Sequence, residues 1–286
     1  MKIEGAVVLI TGASSGIGKT AALAFDRAGA RVAMAARRRE RLEENAAQMH
    51  NALVLTVDLS DEKAAVGMVE RTVEAFGRID VLINTAAAII VSPAEDVAPE
   101  DLVRSFRTNV VGPVAATNRA ARYMLAQGYG HIINVGSPGF IIGVPLYLPY
   151  VCTKAAVCGW TRTIQAEWAG TPVRVSEYFP GYIKTDSPAE SRFGPVDQDT
   201  IIDPEQNAIT RFFTRPKTPE DVARQLIGLV RRPRTLVYSS FLTSLGAWVA
   251  NLPGRRLSIA RNMAAAARKR LGITVFADRD GRPGAQ

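Results

Sequence analysis

Strand-length apolar runs alternate with helix-length segments along most of the chain, and no other sequence feature limits its folding as much. The runs are Val7–Thr11, Arg31–Ala36, Leu53–Asp58, Val81–Asn84, His131–Val135, Arg174–Phe179 and Leu236–Tyr238. Most are apolar almost without interruption. Parallel strands covered on both faces read this way, whereas a half-exposed antiparallel sheet alternates. Helix-length segments lie between them at Gly16–Ala28, Arg38–Met49, Glu62–Phe76, Glu100–Leu125 and Pro149–Trp168. The order predicts an α/β chain with a doubly wound, seven-stranded parallel sheet. Thr218-Pro219-Glu220-Asp221 marks another helix start, with a capping hydroxyl, proline in the first turn and acids at the positive end of the dipole.

With 286 residues, 47% of them apolar, the chain can bury one large core. A single domain is expected over residues 1–240, followed by a basic helical extension at 241–286. The charge is uneven. The formal net charge is +8, yet from Arg231 onward ten Arg and one Lys face only Asp278 and Asp280, which leaves residues 1–230 slightly acidic. A nucleic-acid binder with a basic domain does not look like this. Cys152 and Cys158 are separated by ~9 Å of helical rise, beyond disulfide reach, so the thiols suit a reducing cytoplasm. A strand-like run begins at Ala6, and no signal peptide is expected at this start. His50 and His131 lie at element ends, and no His/Cys/Asp spacing predicts a metal site.

The first strand meets the first helix through Thr11-Gly12-Ala13-Ser14-Ser15-Gly16-Ile17-Gly18. Glycines let the backbone turn sharply and let a pyrophosphate approach, while a new helix offers unpaired N–H groups to an anion. A glycine turn alone is a weak signal; between a first strand and an apolar helix it predicts a dinucleotide cradle. At the end of the second strand an acid would bind a ribose 2′-hydroxyl, and arginine would accommodate a 2′-phosphate. Ala36 stands there, followed by Arg37, Arg38 and Arg39, so NADP(H) is expected ahead of NAD(H). The alternative is a solvated, basic first turn of the next helix. Asp58 closes the third strand, where it can cap a helix or touch adenine.

Tyr150 and Lys154 lie four apart at the start of a helix, so phenol and ammonium share a face. A nearby cation favours phenolate and lowers a tyrosine pKa from about 10 towards the range useful for proton transfer. By itself the pair also fits an ordinary surface helix. Ser137 follows the buried run Ile132–Val135, at the strand edge where such sheets bind ligands. Asn109 interrupts a helical stretch and is read either as a polar residue in a kink or as a site residue.

Taken in order and spacing, Thr11–Gly18, Asp58-Leu59, Asn84, Asn109, Ser137, Tyr150 with Lys154, and Pro180-Gly181 through Thr185 resemble the short-chain dehydrogenases/reductases over about residues 4–240. The resemblance implies a Rossmann-like fold and an NAD(P)-dependent oxidoreductase acting on a carbonyl or alcohol. It implies that Tyr150 exchanges the substrate proton and that Ser137 hydrogen-bonds the carbonyl oxygen. Lys154 would hold the nicotinamide ribose and depress the Tyr150 pKa, and Asn109 would hold a relaying water. Thr11, Gly12, Ser14, Ser15, Gly16, Ile17, Gly18, Arg37, Arg38, Asp58, Leu59, Asn84, Ala86, Tyr150, Lys154, Pro180, Gly181, Ile183 and Thr185 would line the cofactor. The helices Glu100–Leu125 and Pro149–Trp168 correspond to the family's subunit contacts, implying a homodimer or homotetramer. The chain departs from the pattern in three places. Asn84-Thr85-Ala86-Ala87 replaces the usual Asn-Asn-Ala-Gly, Gly136 replaces the frequent first serine of a pair, and Pro138 follows Ser137 directly. Ala87 puts the local loop geometry in question, because glycine freedom is missing there.

Phe140, Val144, Tyr147 and Tyr182 are expected to border the substrate. No cluster of Lys or Arg waits there for a carboxylate, so a hydrophobic ketone or alcohol is expected. Residues 186–217 break the rhythm of elements and read as a lid or a surface excursion. Residues 241–252 place Phe241, Leu242, Leu245, Trp248, Val249 and Leu252 on one helical face, with a basic stretch following. This extension either packs on its own domain or on a partner subunit, or rests on an anionic membrane surface as a peripheral element. Two further readings stand beside the enzyme: a dinucleotide-binding sensor or scaffold without turnover, and a peripheral membrane module. A sensor has no need of Ser137, Tyr150 and Lys154 together.

Overall fold

The computed structural model describes residues 1–181, 183, 192–193, 217–252 and 261. Seven parallel strands form one sheet: β1 (Val7–Thr11), β2 (Arg31–Ala36), β3 (Ala52–Thr56), β4 (Val81–Asn84), β5 (Gly130–Val135), β6 (Val173–Phe179) and β7 (Leu236–Tyr238). Their order is β3-β2-β1-β4-β5-β6-β7. The chain winds outward from β1 to β3, then returns to β4 on the other side of β1. The carboxyl ends of β1 and β4 therefore flank the switch point, where a doubly wound sheet opens a crevice.

The pleat sorts the strand residues into two cores. Val8, Ile10, Val32, Met34, Val81, Ile83 and Ile133 face one layer, with Phe25 of α1 (Gly16–Arg27) and Leu226 of α8 (Pro219–Arg231). Leu9, Ala33, Ala35, Leu82 and Ile132 face the other. There they meet Met68 of α3 (Glu62–Phe76), Ala116 and Ala120 of α5 (Gly112–Ala126), and Ile164 of α7 (Leu148–Glu167). The central strands are apolar on both faces because each face has its own helical cover. A buried Asp80 ties the near end of the sheet: its carboxylate accepts the Val7 N–H at 2.9 Å and the Arg78 guanidinium at 2.8 Å.

Several boundaries differ from the sequence reading. β3 begins at Ala52 and ends at Thr56, before Asp58, and α2 spans Arg39–Ala46. The long helix expected over Glu100–Leu125 is divided into α4 (Pro99–Phe106), a wide π-type turn over Arg107–Val111, and α5. Gly112, the first residue of α5, sits close under the loop after β3: a β-carbon there would lie 2.0 Å from the Leu59 carbonyl oxygen. Asp61 caps the start of α3, its side chain accepting from Lys63 N at 2.8 Å and Ala64 N at 3.2 Å. Thr218 and Asp221 form the capping box of α8, as its sequence predicts.

A short helix, α6 (Gly139–Ile142), follows Ser137, and α9 (Phe241–Ala250) packs on it. Ile141, Ala247 and Ala250 form this third core, with Phe140, Ile142 and Tyr238 against it. Val91 and Ile90 pair in parallel with Arg192–Phe193. Apart from Arg192, Phe193 and Lys217, the expected lid over 186–217 lies outside the described residues, as do Tyr182 and Thr185.

Candidate active site

The glycine turn is built by close approach. Gly12 has φ +69°, and a β-carbon there would sit 2.9 Å from Ala86 Cα. A β-carbon on Gly18 would lie 2.3 Å from the Gly12 carbonyl oxygen. Thr11 closes the turn against the loop after β4: its hydroxyl accepts Thr85 N at 3.2 Å and Ala86 N at 3.3 Å, and the Thr85 hydroxyl donates back to the Thr11 carbonyl. Thr85 thus uses the position of the family's second asparagine to staple the two strand ends. Ala87 needs no glycine freedom, since among the described non-glycine residues only Leu146 has a positive φ.

Asn45, buried in α2, donates to the Ala13 carbonyl at 3.1 Å and fixes the turn from outside. Ser15 occupies the N-cap of α1 without a capping bond, and the first turn holds no acid. An anion is therefore accommodated at this helix start. The three arginines separate cleanly. Arg39 pairs with Glu43 along α2 at 2.7 Å, the solvated-helix reading. Arg38 turns inward, donating through Nη2 to Ser14 Oγ at 2.7 Å and to Ser15 Oγ at 2.9 Å. Arg37 is exposed at the end of β2. Glycine turn, uncapped helix and inward arginine together fit a dinucleotide phosphate.

Asp58 neither caps α3 nor enters the interior. It is exposed and accepts from Ser60 N and Oγ at 2.9 and 2.8 Å. Asn84 points into protein: its amide donates to Asn134 Oδ1 at 2.8 Å and Thr117 Oγ1 at 3.1 Å, and Asn134 passes the chain on to Thr161 at 3.0 Å. Asn84 Oδ1, buried without a protein partner, belongs to a small cavity also lined by Asn109, Asn134 and Lys154. Asn134 was legible as a polar interruption of Ile132-Ile133-Asn134-Val135, yet nothing in the sequence paired it with Asn84.

The wide turn before α5 buries Asn109. Its carboxamide makes a two-point clasp on Ala88, accepting N–H at 2.6 Å and donating to C=O at 2.9 Å, and donates to Thr153 Oγ1 at 3.0 Å. Thr153 in turn donates to the Tyr150 carbonyl at 2.8 Å. Asn109 therefore ties the loop after β4 to the helix that carries Tyr150.

Ser137 lies just past β5, and its hydroxyl accepts the Gly139 N–H at 3.2 Å. The Tyr150 phenol lies within interaction range of this hydroxyl, and the contact favours the phenolate. Lys154 is buried one turn along, with Nζ donating to the Val135 carbonyl at 2.7 Å and standing 5.6 Å from the centre of the Tyr150 ring. The electrostatics differ from the sequence expectation. Burial pushes the Tyr150 phenol above its ordinary pKa of 10, opposed only by the Ser137 contact. Burial also lowers Lys154 to about 8. The ammonium is committed to a backbone carbonyl, so desolvation outweighs its pull on the phenol.

Gly136 has a steric reason: a β-carbon there would come within 2.4 Å of the Phe179 ring. Phe140 belongs to the aromatic stack under α9 more than to an open crevice, with its ring 6.1 Å from Phe179, which lies 5.0 Å from Tyr238. Tyr147 stands edge-on to Tyr150 at 6.5 Å, and Val144 is half-buried beside α6. Pro180 is buried; Gly181 has φ +71°, with space for a β-carbon limited by Ser239 and Thr243. Ile183 bridges in parallel to Lys217 and packs on the first core.

Neither histidine approaches this crevice. His131 is buried and bonds Ser176 Oγ through Nε2 at 2.8 Å, and burial lowers its pKa to about 3. His50 pairs with Asp26 at 3.0 Å. No group of His, Cys, Asp and Glu among the described residues could hold a metal ion.

The family model for short chain dehydrogenases matches residues 6–194. The chain is 30% identical over 285 residues to dehydrogenase/reductase SDR family member 7B of Bos taurus, covering 93% of this chain and 83% of that one. It is 32% identical over 251 residues to an NADP-dependent 3-hydroxy acid dehydrogenase of Schizosaccharomyces pombe, covering 84% and 93%. The fold is similar to that of a 3-ketoacyl-(acyl-carrier-protein) reductase from Brucella melitensis complexed with NADH, with a TM-score of 0.73 at 27% identity over 82% of this chain and 97% of that one.

Proposed function

The chain belongs to the short chain dehydrogenase family and is a nicotinamide-dependent oxidoreductase, and from that premise we propose that it is an NADP(H)-linked carbonyl reductase for apolar small molecules. The convergence of the Ser137 and Tyr150 hydroxyls beside the buried Lys154, at the carboxyl edge of the sheet, carries the reading. A bound nicotinamide supplies or accepts the hydride. Ser137 Oγ and Tyr150 Oη together receive a substrate carbonyl oxygen, and Tyr150 gives its proton to that oxygen as it becomes an alcohol. Its raised pKa keeps the phenol protonated at neutral pH, which suits reduction. Lys154 stands below the phenol to hold a ribose and to supply charge as the proton leaves. Asn109 keeps Tyr150 in register through Thr153.

The preference for NADP(H) rests on Arg38, whose guanidinium already lies over Ser14 and Ser15, and on Ala36, which leaves no carboxylate to repel a 2′-phosphate. The apolar substrate rests on Val144, Tyr147 and the neighbouring Ile142 and Leu146. Val103 and Leu125, large apolar side chains exposed on α4 and α5, support a homo-oligomer packed through these helices. The testing experiment is a screen of hydrophobic ketones and alcohols, following absorbance of the reduced cofactor with NADPH and NADH in parallel. Turnover of an apolar ketone with NADPH preferred is expected. Preference for NADH, or for carboxylate-bearing substrates, overturns the respective half of the proposal.

A further inference from the structure

Helix α9 turns its small residues inward. Thr243, Ala247 and Ala250 are buried, and the two alanines pack on Ile141 of α6. Its opposite face carries Phe241, Leu245, Trp248 and, just beyond its end, Leu252, spaced so that they form one stripe. Phe241 is 78% exposed, Trp248 63% and Leu252 37%. A helix that only closed a domain would need polar residues there. The largest apolar groups of the segment instead face outward.

The adjoining sequence adds charge. Residues 253–271 contain Arg255, Arg256, Arg261, Arg268, Lys269 and Arg270 and no acid, and Arg261 is exposed. An outward Phe and Trp beside a cationic segment fit the boundary of an anionic bilayer, where aromatic rings sit at headgroup depth and basic side chains meet phosphates. A second copy of the chain fits less well, because it would bring two equally basic segments together. Among the described residues no helix is long and apolar enough to cross a membrane. A ten-residue amphipathic surface helix is of a length suited to lying along such an interface.

We propose that α9 is an interfacial anchor that docks the protein on anionic lipid through Phe241, Leu245, Trp248 and Leu252. Since α9 packs on α6, which begins two residues after Ser137, docking holds the substrate side of the crevice at the lipid boundary. An apolar ketone would then reach Ser137 from the lipid phase. That last consequence rests on the proposed carbonyl reductase activity; the docking does not.

The test is co-sedimentation of the full-length protein with vesicles of equimolar phosphatidylcholine and phosphatidylglycerol, with phosphatidylcholine vesicles alongside. The protein is expected to pellet with the anionic vesicles and largely to remain in solution with the neutral ones. The Phe241→Ser/Trp248→Ser double variant should partition at least about tenfold more weakly, with unchanged melting temperature, hydrodynamic size and activity on a water-soluble ketone. As a readout independent of that variant, lipids brominated in the acyl chain should quench the protein's fluorescence, and Trp248→Phe should abolish the quenching while still pelleting. Wild-type protein that stays in solution with anionic vesicles overturns the proposal. So does a double variant that pellets like wild type, which would leave binding to the basic segment alone. A double variant that loses a subunit-sized share of its hydrodynamic size makes this face a contact between copies, and also overturns it.

Discussion

Arg38 reaches back across the glycine turn to the Ser14 hydroxyl, with Nε at 3.2 Å and Nη2 at 2.7 Å. The arginine that follows β2 and the serine that precedes α1 are thereby joined before any phosphate arrives. A guanidinium oriented in this way loses little freedom on meeting a 2′-phosphate. Arg38→Leu should raise the KM for NADPH by roughly 10- to 100-fold, the worth of a lost charge-assisted contact, with little change for NADH. Initial rates at varied cofactor concentration decide this; equal losses with both cofactors would make Arg38 a brace for the turn only.

Tyr150→Phe should lower kcat about 10²- to 10⁴-fold while leaving NADPH binding, followed by fluorescence titration, nearly intact. In wild type the oxidative reaction should climb with pH to 10 and beyond, because the phenolate it requires is disfavoured by burial. Reduction should not show that rise. A flat pH profile for alcohol oxidation would mean that the phenol is not the base.

Lys154 offers a linkage measurement that needs no substrate. Its folded pKa of about 8 lies below the ordinary value of 10.5, so between these limits the unfolded chain binds more protons than the folded one. Stability relative to Lys154→Met should therefore improve as pH rises from 8 to 10.5, by an amount on the order of 3 kcal/mol at most. Below pH 8 the difference should be level. Thermal melts of both proteins across this range are the measurement, and a constant offset throughout would contradict the burial of a charged ammonium.

Gly136→Ser restores the residue common in the family and should nevertheless destabilise this chain. The added β-carbon falls 2.4 Å from the Phe179 ring. Overpacking of this kind costs about 1–3 kcal/mol, or roughly 3–10 °C in Tm for a domain of this size. Gly136→Ser/Phe179→Leu should recover much of the loss. If the second substitution merely adds its own penalty, the two sites are not coupled as described.

Where sequence and structure diverge, the reason is tertiary in each case. Periodicity located the sheet because its central strands are buried on both faces, and Val7–Thr11, Arg31–Ala36, Val81–Asn84 and Leu236–Tyr238 read out residue for residue. The interruption of Glu100–Leu125 at Asn109 was legible, but the wide turn it takes and the Leu59 carbonyl, some fifty positions away in sequence and pressed on Gly112, were not. The Tyr150–Lys154 spacing put phenol and ammonium on one face, yet nothing in the spacing tells that the ammonium engages the Val135 carbonyl. Similarly, Arg37, Arg38 and Arg39 are indistinguishable as letters; Glu43, Ser14 and Ser15 separate them. The apolar face expected over 241–252 exists, but the small residues of α9 are the ones that pack.

The wide turn at Arg107–Val111 makes the length of this segment matter as much as its composition. Deleting one residue there would restore an unbroken helix and swing everything after it by about 100°. Asn109 would leave Ala88 and Thr153, and a side-chain-bearing face would replace Gly112 against Leu59. The chain can exchange many side chains between α4 and α5, but it has no freedom to shorten the distance between them.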